Sequence, residues 1–381
     1  MTIAIDFIGT ELRSGTKSYN INFCKELQNH DLKEDIVIYL TRNYFDQLKF
    51  EKNTNSRIKY IVKSNILSNI VIRILWMQLI LPFNLKISGV KKLYSPMNIC
   101  PLLLKIFKIK IILGIHSNLP WVYFNLMPGN IIRNFITKKI MELSILMSNV
   151  VIFASYYAKD ELSKILNISK NKCKVVYLGI DEIYFKEDHL NNLKMFPDKN
   201  DKYIISVLSC VKYHNILNLL KAFKILLDKK DTEIRKFILI MQILDKHYFK
   251  ILSNYISSNF KKNEITIINN LNSDELKSLY KNSQLYIFSS YTEVFGLTSL
   301  EAMTQRCPVL VSDNSALPEI NGNSSDYFNP DDVVDIKDKM KEILLNENHR
   351  NKLIQNSKIH VKKFTWKKNV MQTLNEIYNL N

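Results

Sequence analysis

Glycine and proline are scarce in this chain, eight and nine residues among 381. Collagen-like and Gly/Pro-rich low-complexity readings are thereby excluded. Cysteine is scarce as well. Cys24, Cys100, Cys173, Cys210 and Cys307 are odd in number, widely scattered and lack CxxC or Cys/His ligand spacing. They read as cytosolic thiols, with no disulfide frame and no zinc site. No fixed-period repeat is present. The opening TIAIDFIG has a strand pattern and lacks the basic n-region and small-residue cleavage site of a signal peptide, so export is not expected. The most lipid-like stretches, NILSNIVIRILWMQLILPF and ICPLLLKIFKIKIILGI, are broken by Arg73 or by Lys105, Lys108 and Lys110 before ~20 apolar residues accumulate, so no bilayer span is expected.

Acid is missing from a whole region. Between Glu51 and Glu142 there is no Asp or Glu, while 14 Lys/Arg lie between Lys52 and Lys139. Over the full chain 53 Lys+Arg face 36 Asp+Glu, a net charge of +17. A one-sign field of this extent favours an anionic partner, a membrane surface or a nucleic acid. The plain alternative is a solvated surface, since Lys, Asn and Ile are abundant throughout. The expected docking face carries Arg73, Trp76, Lys105, Phe107 and Lys108, large apolar groups beside cations; in the alternative these apolar groups fill the core. RNP-type aromatic runs and zinc fingers are absent, so nucleic acid is the less expected partner.

What remains is apolar enough to fold. With 46% hydrophobic and 11% aromatic residues the chain is no disordered segment, and 381 residues suit two domains of ~100–200 residues. Strand-length apolar runs (TIAIDFI, DIVIYLT, RIKYIVK, KIKIILGIH, VVIFAS, then YIISVL, KFILIMQI, EITII, LYIF, PVLVS) alternate with stretches of helical period, the signature of parallel α/β sheets. Ser155 reads as an N-cap, and Asn272 with Glu275 as a capping box. Residues 182–201, polar and containing Pro197, read as a linker between an N-terminal domain over 1–181 and a C-terminal domain over 202–363, followed by a terminal amphipathic helix over 364–381.

The stretch QLYIFSSYTEVFGLTSLEAMTQRCPVLVS, residues 284–312, carries the chemistry. Its grammar is strand, loop, glycine, helix, strand. In open parallel sheets ligands sit beyond the carboxyl ends of strands, where loops enter helix N-termini. The N–H groups of Phe295, Gly296 and Leu297 would there be positively polarised and suited to phosphate oxygens. Glu293 in the loop and Glu301 in the helix would repel phosphate, so they make better sense as acceptors for hydroxyl groups, which a nucleotide sugar offers on both ribose and hexose.

EVFGLTSLEAM, with seven residues between Glu293 and Glu301, resembles the Glu-x7-Glu motif of family-four retaining glycosyltransferases of the bacterial surface-glycan type. Similar runs extend over nearly the full chain: IDFIG with the loop to Gly15, the strand ending in His116, FASYYAKDEL, VVYLGID, HNILNLLKAF, LPEI, YFNPDD and FTWKK. The resemblance implies an α/β GT-B fold, two Rossmann-like parallel-sheet domains facing a cleft, with the donor held mainly by the second and the final helix crossing back to the first. Position by position it implies that Glu301 binds the ribose hydroxyls and that Glu293, with His116, stands at the transferred sugar. The N–H groups of Phe295, Gly296 and Leu297 would bind the donor, with Gly15 also at the donor site.

The implied reaction is hexosyl transfer with retention, from a UDP- or GDP-linked sugar to a surface-glycan acceptor of lipopolysaccharide or capsule type, carried on a polyprenyl lipid in one version. No metal or other cofactor and no covalent intermediate is expected, and the enzyme would work at the cytoplasmic face of the membrane as a peripheral protein. The chain departs from the family where an Arg and a Lys usually neutralise the diphosphate: Ser209 and His214 stand there, and the cation is either Lys212 or a protonated His214. Arg306 stands where Gly is common, and Ser117 follows His116 where Asp is common. Two rivals remain. A two-carboxylate glycosidase would need a partner acid that the first half does not supply; a noncatalytic protein of the same fold would use its charge on membrane or RNA.

Overall fold

The computed structural model describes residues 2–8, 14–48, 55–186 and 201–380. The chain forms two compact units. The first comprises Met1–Trp121, Phe135–Gly179 and Thr365–Asn381, and the second Val122–Asn134 and Ile180–Phe364. Most of the expected linker, residues 187–200 with Pro197, lies outside the described residues.

The first unit is built on seven strands: β1 (Thr2–Asp6), β2 (Asp35–Thr41), β3 (Ile58–Lys63), β4 (Val90–Ser95), β5 (Lys110–Ile115), β6 (Val150–Phe153) and β7 (Cys173–Val175). Their order is β3-β2-β1-β4-β5-β6-β7, and every pair is parallel. Ile3, Ala4 and Ile5 in β1, and Ile111, Ile112 and Leu113 in β5, are buried in succession. Such continuous burial, with no polar alternation, is what helices on both faces of a parallel sheet impose. The Ser155 hydroxyl accepts from the Ala158 N–H at 3.1 Å and caps the helix Tyr156–Leu166, as the sequence predicts. The terminal helix Trp366–Tyr378 belongs to this unit, with Trp366, Val370, Leu374 and Ile377 in the same core as Ile3, Ile5 and Phe23.

The second unit repeats the plan with β8 (Tyr203–Cys210), β9 (Lys236–Ile243), β10 (Ile265–Ile268), β11 (Leu285–Phe288), β12 (Val309–Ser312) and β13 (Asp326–Phe328) in the order β10-β9-β8-β11-β12-β13, again wholly parallel. The Asn272/Glu275 capping box forms with both of its bonds, at 2.9 and 2.8 Å. In each sheet the strand order reverses beside its first strand, between β1 and β4 and between β8 and β11. Loops leaving those pairs open a crevice at the carboxyl ends.

Three features differ from the sequence expectations. The helix Ile70–Ile87 is, by length and composition, long and apolar enough to cross a membrane; the sequence reading stopped the run at Arg73. Arg73 and Trp76, expected on a docking face, are only 8% and 7% exposed. Arg73 is turned inward, where its charge acts on the buried Asp6. Finally, Val122–Asn134 groups with the second unit, where the Tyr123 ring lies 6.0 Å from that of Tyr291; no local pattern announces such a pairing.

The chain leaves the first unit at Gly179 and re-enters it at Thr365. A Cβ on residue 179 would lie 2.3 Å from the Trp366 backbone nitrogen and 2.7 Å from the Thr365 carbonyl carbon. Backbone cannot yield as a flexible side chain does, so Gly179→Ala should destabilise the protein by about 1–3 kcal/mol, the usual cost of overpacking. Urea denaturation of the variant checks this, and an unchanged midpoint would mean that the two segments separate freely.

Candidate functional site

The loops after β8 and β11 flank the switch point of the second sheet. After β8 the chain makes a short 3-10 turn, Lys212–His214, and Asn215 takes a left-handed conformation (φ 54°) before the helix Ile216–Lys229. After β11, Gly296 does the same (φ 89°) before the helix Leu297–Thr304. A Cβ on Gly296 would lie 2.5 Å from Leu317 Cδ2, so glycine answers both a torsion and a space requirement. Neither Asn215 nor Gly296 caps its helix through a side chain. Two helix starts therefore meet at one switch point; the Tyr248 phenol accepts from the Leu217 N–H at 3.1 Å, so the start after Gly296 is the more open of the two.

The two loops are laced together. The Ser289 hydroxyl donates to the His214 carbonyl at 2.8 Å, and the Tyr291 N–H to the Tyr213 carbonyl at 2.8 Å. His214 Nε2 lies 3.3 Å from Glu293 Oε1, and Nδ1 lies 2.9 Å from the Ser209 nitrogen. Nδ1 is also 2.7 Å from the Ser209 carbonyl oxygen: a neutral ring that donates Nε2–H to the carboxylate accepts from the Ser209 N–H at Nδ1, whereas a protonated ring donates to both the carboxylate and the Ser209 carbonyl. Glu293 is fixed from behind as well, because its N–H donates to the Ser315 hydroxyl at 2.9 Å and its carbonyl accepts from the Ala316 N–H at 3.3 Å. The carboxylate is held partly exposed at the crevice.

Glu301 is a different group. It sits inside the helix, buried, and burial pushes its carboxyl up to about 8. Hydrogen bonding from the Tyr184 and Tyr280 phenols opposes that rise, and the charge of Asp181 adds to it. Phe295 is buried, with its ring 5.7 Å from Phe364. Lys212 is exposed, while His214 is buried against Glu293, so Lys212 is the cation of that loop that faces solvent.

His116 belongs to the first unit and follows β5. Its N–H donates to Asn98 Oδ1 at 2.6 Å, and its ring centroid lies 4.6 Å from that of Tyr19. Nε2 is buried with no hydrogen-bond partner, and burial lowers the ring to about 4. This is a neutral imidazole at neutral pH, with an unfilled hydrogen-bonding position. Gly15 lies in the first turn of the helix Ser14–Leu27, and residues 9–13 of the loop before it lie outside the described residues.

Sequence reasoning reached Glu293, Phe295, Gly296, Leu297, Glu301 and His214, all of which the structure brings to the second switch point or the helix that leaves it. It missed Ser289, which ties its loop to the His214 carbonyl, Ser315, which accepts from the Glu293 N–H, and the phenols of Tyr184 and Tyr280 beside Glu301. A pair of serines ending a strand was the available signal for the first of these; the tyrosines are distant in sequence and gave none. Among the described residues, ligand atoms of Asp326, Glu342 and His349 lie within 4.8 Å of one another. His349 Nε2 is already 2.6 Å from Asp326, and Lys339 Nζ 3.1 Å from Glu342. The group stands on β13 and the helices after it, outside the switch-point loops.

With this geometry in hand, comparison with known proteins is informative. Residues 192–360 match the family described as glycosyl transferases group 1. The O-antigen chain mannosyltransferase RfbU of Salmonella typhimurium is 25% identical over 229 residues, 60% of this chain and 59% of that protein, so the match takes in less than two thirds of the relative. A glycosyltransferase from Rickettsia africae superposes with a TM-score of 0.70 at 17% identity, covering 100% of this chain and 99% of that one. The Anabaena protein HepE in complex with UDP and glucose gives 0.73 at 14% identity, covering 99% and 100%. The resemblance read from the Glu-x7-Glu run is borne out. The fold is α/β of the GT-B type, and residues 192–360 are similar to the group 1 glycosyl transferases, in line with the similarity to a relative named as an O-antigen mannosyltransferase.

Burial of Glu301 fixes a pH dependence. Its ordinary value is 4.5 and its folded value about 8, so between these the unfolded chain is ionised while the folded protein holds the proton. The stabilisation is complete below pH 4.5, declines as pH rises and is gone above about 8. Asp6, raised by burial from 3.8 to about 7, acts in the same direction. Denaturation midpoints measured from pH 5 to 8.5 should fall in the wild type and fall less in Glu301→Gln, which keeps the shape without the titration.

Proposed function

We propose that the protein is a retaining glycosyltransferase that moves a hexosyl unit from a UDP- or GDP-linked sugar to a surface-glycan acceptor, carried on a polyprenyl lipid. The observation that carries the reading is the second switch point, where the helix start after Gly296, which no side chain caps, and a partly exposed Glu293 share one crevice. Helix starts suit a diphosphate, and a carboxylate held beside them suits a sugar hydroxyl. Relatives named as O-antigen mannosyltransferases and a fold neighbour holding UDP and glucose support the same chemistry.

In this reading the diphosphate of the donor rests on the N–H groups at Phe295, Gly296 and Leu297, and Lys212 approaches it from the β8 loop. Glu301 accepts from the ribose hydroxyls, and Glu293, held by His214, accepts from the hexose. Negative charge grows on the diphosphate as the glycosidic bond lengthens and the sugar becomes oxocarbenium-like. Preorganised N–H groups and Lys212 stabilise that charge without a metal ion. His116, neutral, offers Nε2 to the transferred sugar or to the acceptor hydroxyl. The test is acceptor-stimulated release of nucleoside diphosphate across UDP- and GDP-sugars, read by mass spectrometry. Neither hydrolysis nor transfer with any of them would leave a noncatalytic protein of this fold.

Two substitutions separate the glutamates. Glu301→Ala should weaken donor binding by about 0.5–1.5 kcal/mol for each hydrogen bond lost, since the carboxyl is protonated at neutral pH before the donor arrives; titration with UDP and GDP reads it, and unchanged affinity removes Glu301 from the ribose site. Glu293→Gln should lower kcat more than donor affinity, because its contact is to the reacting sugar. A rise in KM alone would reassign Glu293 to ground-state binding.

A further inference from the structure

The helix Ile70–Ile87 is apolar all round, yet the protein covers only one of its sides. Arg73, Trp76, Met77, Leu81 and Leu85 are buried. Val71, Leu75, Leu79, Phe83 and Ile87 are exposed, the last to 85%. These five positions are spaced by four residues. In an unbroken α-helix, at 3.6 residues per turn, such a row winds steadily around the axis. Here residues Trp76–Ile80 form a π-turn, in which the Leu81 N–H reaches back to the Trp76 carbonyl. The wider turn takes up an extra residue and pulls the row back toward a single side. Beside it, the Phe107 ring packs 5.2 Å from Phe83, and Ile106 stands 73% exposed. Gln78 pins the helix to this neighbouring segment, donating to the Cys100 carbonyl at 3.0 Å and accepting from the Leu102 N–H at 2.9 Å. An apolar surface of this extent, built on a fixed frame, marks an interaction site.

We propose that this face, helix Ile70–Ile87 with the turn Lys105–Lys108, seats the first unit in the headgroup boundary of an anionic membrane leaflet. Charge selects the occupant. Lys86, Lys91, Lys105 and Lys108 are exposed in these segments or directly after them, and no acidic residue occurs anywhere from 52 to 141. A second copy meeting this face about a two-fold axis would set the same lysines against themselves; an anionic leaflet answers both the apolar row and the charge. The helix lies on the membrane and does not cross it. It is preceded by β3, ending at Lys63, and followed by β4, starting at Val90, both strands of one sheet, and its inner side is packed. The face also differs from the one expected from sequence: Lys105, Phe107 and Lys108 stay, while Arg73 and Trp76 give way to Val71, Leu75, Leu79, Phe83 and Ile87. It does not depend on the transfer chemistry.

Flotation of the full chain with phosphatidylcholine vesicles, with and without phosphatidylglycerol, tests the proposal. The wild type should float with the anionic vesicles, be released by salt and remain behind with the neutral ones. Each basic residue at an anionic leaflet is worth about a fivefold change in partitioning, so Lys105→Glu/Lys108→Glu should lose at least about 25-fold. Leu79→Ser/Phe83→Ser should lose binding at equal charge, and its thermal melt shows whether it is folded. Equal flotation with both vesicle types, or charge-reversed protein that floats as well as wild type, overturns the proposal. So does sedimentation of the wild type as a dimer that Leu79→Ser/Phe83→Ser dissolves, which would make the face a contact between copies. Donor hydrolysis in the absence of vesicles is read separately, so failure here leaves the transferase reading standing.

Discussion

The 3.3 Å contact between His214 and Glu293 joins the two loops on which the second switch point depends. A carboxylate beside two helix starts would be drawn onto their N–H groups and would fill the place suited to an anion. The imidazole prevents this by giving Glu293 a donor of its own, and Ser209 fixes the imidazole in turn. The serines complete the arrangement: Ser289 ties its loop to the His214 carbonyl, and Ser315 holds the Glu293 backbone. His214 therefore serves the neighbouring glutamate, and Lys212 is the exposed cation of that loop.

The two glutamates of one motif are given opposite environments. Glu293 is partly exposed and has a histidine; Glu301 is buried among phenols, close to the charge of Asp181, and holds its proton up to about pH 8. A buried carboxyl of this kind is costly to ionise unless hydroxyl donors arrive to solvate it. In the proposed reading two ribose hydroxyls would be such donors, and donor binding and ionisation of Glu301 would then favour each other.

Much of this was legible in the sequence, for identifiable reasons. Parallel strands buried on both faces appear as runs of Ile, Leu and Val, and Ser155 and Asn272/Glu275 announce helix starts because capping is chemistry within three residues. The Glu-x7-Glu run is likewise local. What escaped depends on distance or on backbone detail. Tyr184 and Tyr280 come to Glu301 from remote positions. Arg306, standing where glycine is common, adopts φ 60°, so the departure keeps the turn at a steric cost instead of changing it. The π-turn at Trp76–Ile80 has no sequence signature, and without it the row Val71, Leu75, Leu79, Phe83 and Ile87 would wind around the helix instead of keeping toward one side.

The acid-free stretch poses a problem that the first unit solves in one way. A region with 14 cations and no internal anion must find counter-charges elsewhere or leave its charge on the surface. Among the described residues its two buried cations take the first route: Lys92 reaches Glu34 at 3.3 Å and the Tyr378 carbonyl at 3.2 Å, and Arg73 lies where its charge acts on Asp6. Both acids come from before the stretch, on β1 and next to β2, so the fold imports what burial requires. Lys86, Lys91, Lys105 and Lys108 receive no such treatment and stand exposed around an apolar row. A surplus neutralised inside the fold would add nothing to recognition; one left on a single surface directs its field outward, toward whatever anion that surface meets.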